Sequence, residues 1–432
     1  MVSNYRPISL LPQFSKILEK LIAVRFISFI EKEKILINEQ YGFQKHVSTS
    51  HALHSIVENI TESLENKLNV IGICIDLQKA FDTVNHSLLL EKLLHYGIRG
   101  SVYDMFKSYL DNRKQFVSLH NCQSTYSPVT CGVPQGSVLG PLLFLIYVND
   151  ICQSSERLKF VLFADDTNIF YSSNNLSTFE NIVNNELISL ATWFSVNKLS
   201  LNVQKTSYML FCKRTCRFDP IIRMNGIVLE RVRCTKFLGV QLDDKLLWKN
   251  HIAHIRSKMS SVLSVLYKVH LLIDRESLIL LYNTLFVPHM YYCCSIWGNT
   301  CKSYLKPITA IQKRAAYLLN PNLGSTNHVF SRYNLLKFID IVHISTALVA
   351  FDAYNGILPD RLRVLYKPVS NNPNSKNCDR FISVTAKSNM RFHCITASSI
   401  RIWNSLSSSL KQCKHKKRFK ITLKQQILLT YL

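Results

Sequence analysis

The sequence predicts an α+β fold, with strands and helices interleaved in a split-βαβ order up to about Lys245 and helices alone beyond it. Three observations predict it. The run Val70-Ile71-Gly72-Ile73-Cys74-Ile75 is continuously apolar, as a strand buried on both faces is. Leu158, Phe160, Val161 and Leu162 precede a turn at Asp165-Asp166, and Ile169, Phe170 and Tyr171 follow it, which is the pattern of a hairpin. After Lys245 the strand signals stop, and Trp248–Tyr267, Arg275–Phe286 and Lys306–Leu319 carry helical periodicity.

The remaining elements follow in order. Ser15–Lys34 reads as an amphipathic helix with Ile17, Leu18, Leu21, Ile22, Phe26 and Phe29 on one side. Ser87–Tyr96 reads as a second helix, stopped by Gly97. Leu142–Val148 reads as a buried helix opened by Pro141 and ending near Asn149-Asp150. Ser177-Thr178-Phe179-Glu180 has the spelling of a capping box, and Phe179, Ile182, Val183, Leu187, Leu190 and Phe194 form the core stripe of the helix it opens. Asn225-Gly226, between Ile221-Ile222 and Val228-Leu229, signals a two-residue hairpin. Pro359–Asn377 is rich in Pro, Asn and Ser and reads as a linker or long loop.

Chemistry concentrates around the carboxylates. Asp165 and Asp166 sit at a hairpin tip between apolar strands, where anions are costly unless a cation joins them. Asp76 ends the apolar run and reads by itself equally as a helix cap or a metal ligand; beside the Asp165 pair the ligand reading is the better one. Three carboxylates from neighbouring strands can hold two Mg²⁺ ions, the arrangement that serves in-line phosphoryl transfer. Between them lies Gly132-Val133-Pro134-Gln135-Gly136-Ser137, either a plain turn into a helix or a loop whose glycines let backbone approach a nucleotide, with the Gln135 amide on sugar, base or primer. A second acid pair, Asp243-Asp244, lies in a polar segment and reads as a solvated turn.

The order and spelling of seven segments resemble the reverse transcriptases of non-LTR retrotransposons, the jockey-like and related long interspersed elements. The segments are Asn4-Tyr5-Arg6-Pro7-Ile8-Ser9-Leu10-Leu11, Gln40-Tyr41-Gly42-Phe43, Asp76 through Asp82, Gly132 through Pro141, Phe163-Ala164-Asp165-Asp166, Leu201 through Thr206, and Phe237-Leu238-Gly239-Val240. The resemblance implies a right-hand polymerase: partial fingers over 1–69, a palm with the carboxylates over 70–245, a helical thumb over 246–325, and a mostly helical C-terminal region with a basic tail over 326–432. It implies that Asp76, Asp165 and Asp166 hold two Mg²⁺ ions, or Mn²⁺, with the Leu77 carbonyl joining them. Phe81 becomes a steric gate that favours dNTPs, and Asp82 structural. Gln135 and Gly136 become contacts to nucleotide and template–primer, and Lys205 a lysine near the leaving pyrophosphate. Phe237, Leu238 and Gly239 become the grip on the primer 3′ end. Many relatives carry Arg after Gly-Phe in the fingers; this chain has Gln44, so that role passes to Lys45 or the triphosphate is held more weakly. The early start suggests a chain truncated relative to its kin.

The expected function is RNA-directed DNA synthesis, with RNA template, DNA primer and dNTPs as partners. The rivals are a catalytically impaired relic that only binds nucleic acid, and another palm polymerase such as an intron maturase or viral RNA polymerase. Composition agrees with a polyanionic partner: 52 Lys+Arg against 28 Asp+Glu give a net charge of +24, while 47% hydrophobic residues support a large folded core. Arg256, Lys258, Lys268, Lys313 and Arg314 read equally as phosphate contacts and as solvated helix faces. The run from Lys411 through Lys414, Lys416, Lys417, Arg418 and Lys420 reads as an RNA-binding tail, a nuclear-localisation-like patch or a solvated tail. No apolar stretch approaches the roughly 18–20 residues that span a bilayer. The 13 cysteines are odd in number, and Cys212 and Cys216 are spaced like half a metal site with no second half, which favours thiols in a reducing nucleus or cytoplasm.

Overall fold

The computed structural model describes residues 8–119, 122–213, 218–370 and 379–431. Asn4–Pro7, Cys216 and the Asn371–Asn377 stretch of the expected linker lie outside the described residues. The fold is α+β, and the chain divides into two compact units. The first comprises residues 1–48, 70–210 and 214–232; the second comprises 49–69, 211–213 and 233–432.

The strands of the first unit are β1 (Asn69–Ile75), the short β2 (Lys114–Gln115), β3 (Ser118–Leu119), β4 (Cys122–Gln123) and β5 (Ser127–Pro128), the hairpin β6 (Lys159–Phe163) and β7 (Asp166–Ser173), then β8 (Ser207–Phe211), β9 (Arg223–Met224), β10 (Ile227–Val228) and β11 (Glu230–Arg231). Five of them form one sheet in the order β11-β8-β1-β7-β6. β1 is central, which is why its sequence is apolar without alternation: Val70, Ile71, Ile73 and Ile75 are all buried. β6 and β7 pair antiparallel with Phe163 opposite Asp166, so Ala164 and Asp165 form the turn. β9 and β10 pair antiparallel around Asn225-Gly226, both with positive φ, the two-residue turn their spelling predicts.

The helices, in chain order, are α1 (Gln13–Lys32), α2 (Thr49–Glu65), α3 (His86–His95), α4 (Gly100–Leu110), α5 (Leu139–Tyr147) and α6 (Leu176–Val196). All but α2 belong to the first unit. The almost wholly buried α5 packs on α1 and α3, and α6 packs on β7 and β9. In α6 the expected stripe is the buried one, with Phe179, Val183, Leu187, Leu190 and Phe194 inside. Its cap differs from expectation. Asn175, not Ser177, caps the helix by accepting from the Ser177 N–H, and Glu180 instead accepts from the Ile221 N–H at 3.0 Å.

Helix α1 turns inward only part of the stripe its apolar pattern predicts: Phe26 is buried, and Ile22 and Phe29 are half-buried. The buried line is Glu19, Ala23, Phe26 and Ile30, while Ile17, Leu18 and Leu21 are each more than half exposed. The reason is a polar anchor. The Glu19 carboxylate accepts from the Val138 N–H at 2.6 Å, the Leu139 N–H at 3.3 Å and the Tyr109 hydroxyl at 3.1 Å. It therefore caps the start of α5, where unpaired helix donors and the dipole favour an anion.

The second unit holds β12 (Cys234–Phe237) and β13 (Val240–Asp243) as an antiparallel hairpin, and α2 with a helical array. That array is α7 (Lys249–Val269), α8 (Arg275–Leu281), α9 (Val287–Tyr291), α10 (Cys294–Trp297), α11 (Lys302–Leu319), α12 (Thr326–Arg332), α13 (Phe338–Tyr354), α14 (Asp360–Arg363), α15 (Asn389–His393), α16 (Ile395–Ser405), α17 (Ser408–Lys411) and α18 (Lys416–Leu429). A π-turn, Tyr282–Phe286, joins α8 to α9 within the stretch expected as one helix. Helix α11 starts at Lys302 rather than Lys306, running through Pro307. Trp297 stacks on Phe338, and Trp403 lies against Phe351 and Phe419, so aromatic residues form its core.

Three readings of the C-terminal sequence are refined. Asp243 is buried, not solvated: its carboxylate accepts from the N–H groups of Lys245, Leu247 and Trp248 and so shapes the entry to α7. Lys411 is buried beside Asp379, and Lys416 pairs with Asp352 at 2.5 Å, so part of the basic run is structural. Within Pro359–Asn377, α14 forms a short helix and Leu362 and Tyr366 are buried. Among the described residues no helix is long and apolar enough to cross a membrane.

Candidate active site

The sheet of the first unit places the strand that Asp76 ends beside the strand that Asp166 begins, because β1 and β7 are hydrogen-bonded neighbours. Asp76 is half-buried and held by Asn202. The Asn202 side chain donates to Asp76 Oδ2 at 2.9 Å, and the Asn202 N–H donates to the Asp76 carbonyl at 2.8 Å. Asn202 is itself fixed by a turn in which Lys205 and Thr206 donate back to its carbonyl. Asn202 lies in the same segment as Lys205 but no motif role singles it out; its polarity beside a strand end is the one sequence signal for it.

Leu77 and Leu201 face each other in an antiparallel bridge. The bonds on either side run from Asn202 N–H to Asp76 and from Gln78 N–H to Ser200. Leu77 is thus the non-hydrogen-bonded member, and its own N–H and carbonyl point away from the Leu201 segment. Asp165 lies in the turn and is half-buried, whereas Asp166 is exposed. Ala164, just before them, has φ +56°, a conformation that costs an L residue about 1–2 kcal/mol.

The segment after β1 and the Gly132 loop are zipped together. The Val133 N–H donates to the Phe81 carbonyl at 2.8 Å, the Gly132 N–H to the Val84 carbonyl at 2.7 Å, and Gln135 Nε2 to Asp82 Oδ1 at 2.8 Å. Gly132 has φ +88°, and a Cβ there would stand 2.7 Å from the Asp82 carbonyl, so only glycine allows this approach. Asp82 is accordingly structural, and one donor of the Gln135 amide is already engaged. Phe81 stacks on Phe144 with ring centres 4.4 Å apart and meets the ring of Phe43 edge-on at 6.5 Å. Gly136 and Lys205 are exposed, as is Lys45, whereas Gln44 donates to the Gln40 carbonyl at 2.7 Å.

The Phe237–Gly239 turn belongs to the second unit. Leu238 and Gly239 both have positive φ and join β12 to β13. The Tyr292 hydroxyl donates to the Leu238 carbonyl at 2.6 Å, and its ring lies 3.1 Å from where a Gly239 Cβ would be. Burial raises the Tyr292 pKa, which keeps it a neutral donor. Beneath the hairpin, His251 Nδ1 accepts from the Gln241 N–H at 3.3 Å; burial, then His254 and Lys258, lower its pKa to about 4.

Asp76, Asp165 and Asp166, with the Leu77 carbonyl, are the expected metal ligands, and their donor atoms are hard oxygens of the kind Mg²⁺ takes. Among the described residues no three His, Cys, Asp or Glu side chains stand close enough together to form a metal-ligand cluster.

A family model described as reverse transcriptase (RNA-dependent DNA polymerase) matches residues 2–242. The chain is 32% identical over 326 residues to a probable RNA-directed DNA polymerase from transposon X-element of Drosophila melanogaster, covering 73% of this chain and 36% of that protein. It is 30% identical to the RNA-directed DNA polymerase from mobile element jockey of the same organism, covering 72% and 35%. The chain thus spans about a third of the length of the curated relatives it matches. Among solved structures, a telomerase from Candida tropicalis in complex with a fragment of telomeric RNA aligns with a TM-score of 0.43 at 11% identity, covering 95% of this chain and 56% of that one.

Proposed function

The chain belongs to the reverse transcriptase family, and from that premise we propose that it extends a primer 3′-hydroxyl with dNTPs on an RNA template, as the polymerase of a non-LTR retrotransposon. The observation that carries the reading is the pairing of β1 with β7, with Asp76 clamped by Asn202 at the end of one and Asp166 opening the other. Asp76, Asp165, Asp166 and the Leu77 carbonyl would hold divalent metal, two Mg²⁺ with Mn²⁺ as a substitute. When bound, such ions neutralise charge on the reacting phosphate.

The primer 3′-oxygen bonds to the α-phosphorus, the α–β phosphoanhydride P–O bond breaks, pyrophosphate departs, and the hydroxyl proton is released to solvent. Lys205, exposed on the turn built on Asn202, supplies positive charge to the departing pyrophosphate. Phe81, fixed by its stack on Phe144, crowds a 2′-hydroxyl and excludes rNTPs. Gln135 and Gly136 contact nucleotide and template–primer, and Phe237, Leu238 and Gly239 hold the primer end. The +24 charge holds the template–primer by its phosphates. We propose the nucleus and cytoplasm as the place of this work.

One observation favours the relic reading. Gln44 stands where relatives carry a cation and spends its amide on the Gln40 carbonyl, so triphosphate capture falls to Lys45. The deciding experiment is primer extension on an RNA template with dNTPs and Mg²⁺. Extension that falls at least a hundredfold in Asp165→Asn and Asp166→Asn supports the polymerase reading. Extension that persists in both variants rejects the metal assignment, and none in the parent chain supports the relic.

A further inference from the structure

Gln40 carries no role in the reading so far, yet it touches both the segment assigned to the triphosphate and the turn that presents the acids. Its side chain is almost fully buried, at 1% exposure. Oε1 accepts two backbone N–H groups at once, that of Gly42 at 2.7 Å and that of Ala164 at 3.0 Å. Two donors converging on one atom fix that atom as the amide oxygen. Backbone bonds reinforce the junction: Tyr41 N–H donates to the Leu162 carbonyl at 2.8 Å, and Leu162 N–H donates to the Glu39 carbonyl at 2.9 Å. Gln40 thereby forms a parallel bridge to Leu162 in β6.

The fit at this junction leaves no slack. A Cβ on Gly42 would stand 2.4 Å from the Ala164 nitrogen. Ala164 and Phe43, on the two sides of the contact, both have left-handed φ, +56° and +52°. Two strained residues persist only where their surroundings over-determine them. The Gln40 oxygen is the side-chain atom common to both strands of that restraint.

We propose that Gln40 is a positioning residue: it holds Ala164 in its strained conformation and so sets where Asp165 and Asp166 point, and it does so through the segment that carries Phe43 and Lys45. Seating of the triphosphate segment and presentation of the metal-holding acids are thus one mechanical unit. The metal part of this proposal rests on the assignment of Asp165 and Asp166 above.

The test uses the full chain with Gln40→Met, which keeps length but loses the acceptor, and Gln40→Glu, which keeps it. Amide exchange is read at Gly42 and Ala164, and Mn²⁺ affinity by electron paramagnetic resonance. In Gln40→Met both amides should exchange at least tenfold faster and Mn²⁺ should bind at least fivefold more weakly, while amides of α6 keep their protection. Gln40→Glu should restore amide protection. A residue that merely stabilised the fold would lower the melting temperature and leave the Mn²⁺ affinity of the folded chain unchanged. Protection and affinity within twofold of the parent in Gln40→Met overturn the proposal. If that variant does not fold, Gln40→Glu decides: a protected Ala164 amide supports the proposal, and rapid exchange overturns it. A parent chain whose Mn²⁺ affinity is unmoved by Asp165→Asn rejects the metal assignment instead, and amide exchange still decides the role of Gln40.

Discussion

Replacing Glu19 by Ala should destabilise the first unit by about 3–4 kcal/mol. Glu19 is 3% exposed and serves three donors, the N–H groups of Val138 and Leu139 and the Tyr109 hydroxyl. Each buried donor left unpaired costs about 1–3 kcal/mol. The Leu139 bond is long at 3.3 Å and the Tyr109 hydroxyl can turn toward solvent, so their shares fall at the low end. Loss of the anion at the start of α5 adds about 0.3–1 kcal/mol. For a unit of about 200 residues, this sum lowers the melting temperature by roughly 10 °C. Glu19→Gln, which keeps one acceptor and removes the charge, should lose about half as much. Thermal unfolding of the full chain followed by circular dichroism measures both. The consequence for function follows from the same contacts. α5 anchors the Gly132–Ser137 loop through the Gly140 N–H to Ser137 and the Ser137 hydroxyl to Pro134. The KM for dNTP should therefore rise several-fold while the folded fraction is held equal. A melting temperature within about 3 °C of the parent would refute the reasoning, because it would mean the carboxylate is not what satisfies those donors.

Phe81→Ala should relax discrimination against rNTPs by at least tenfold, read as the ratio of kcat/KM values; an unchanged ratio removes the gate role from the ring stacked on Phe144. Gly239→Ala should weaken primer extension and cost about 1–2 kcal/mol, since φ is +81° and the Tyr292 ring must give way; a variant as stable as the parent would deny the close approach. The second unit should lose stability as pH falls from about 6.5 toward 4. Burial lowers His51 and His251 to about 4 and His54 to about 3, below the unfolded value, so the unfolded chain takes up protons first. Each contributes roughly 2 kcal/mol of loss by pH 5, and equal urea midpoints at pH 7 and pH 5 would contradict that burial.

Much of the first unit is legible in the local pattern of the chain. Continuous apolarity marked β1 as a central strand, the β6–β7 hairpin was visible on both sides of Asp165-Asp166, and the α6 stripe was the stripe that is buried. These were legible because each depends on local pattern: a strand buried on both faces, a turn between two apolar runs, a helix with one inward side. Which polar residues hold the pieces in place depends on the packing of segments distant in the chain. Periodicity places Phe26 of α1 inside but not Glu19, because nothing local tells that Glu19 will find three donors ninety or more positions onward. Asp243 looked solvated because the backbone groups it satisfies exist only once the chain turns into α7. Asn202 on Asp76 and Gln40 on Ala164 join residues 126 and 124 positions apart. A hydrogen bond depends on where two atoms meet in space, and that meeting is set by the packed sheet rather than by either segment. The motifs thus name the acids, and the fold supplies Asn202 and Gln40, the side chains bonded to Asp76 and to Ala164.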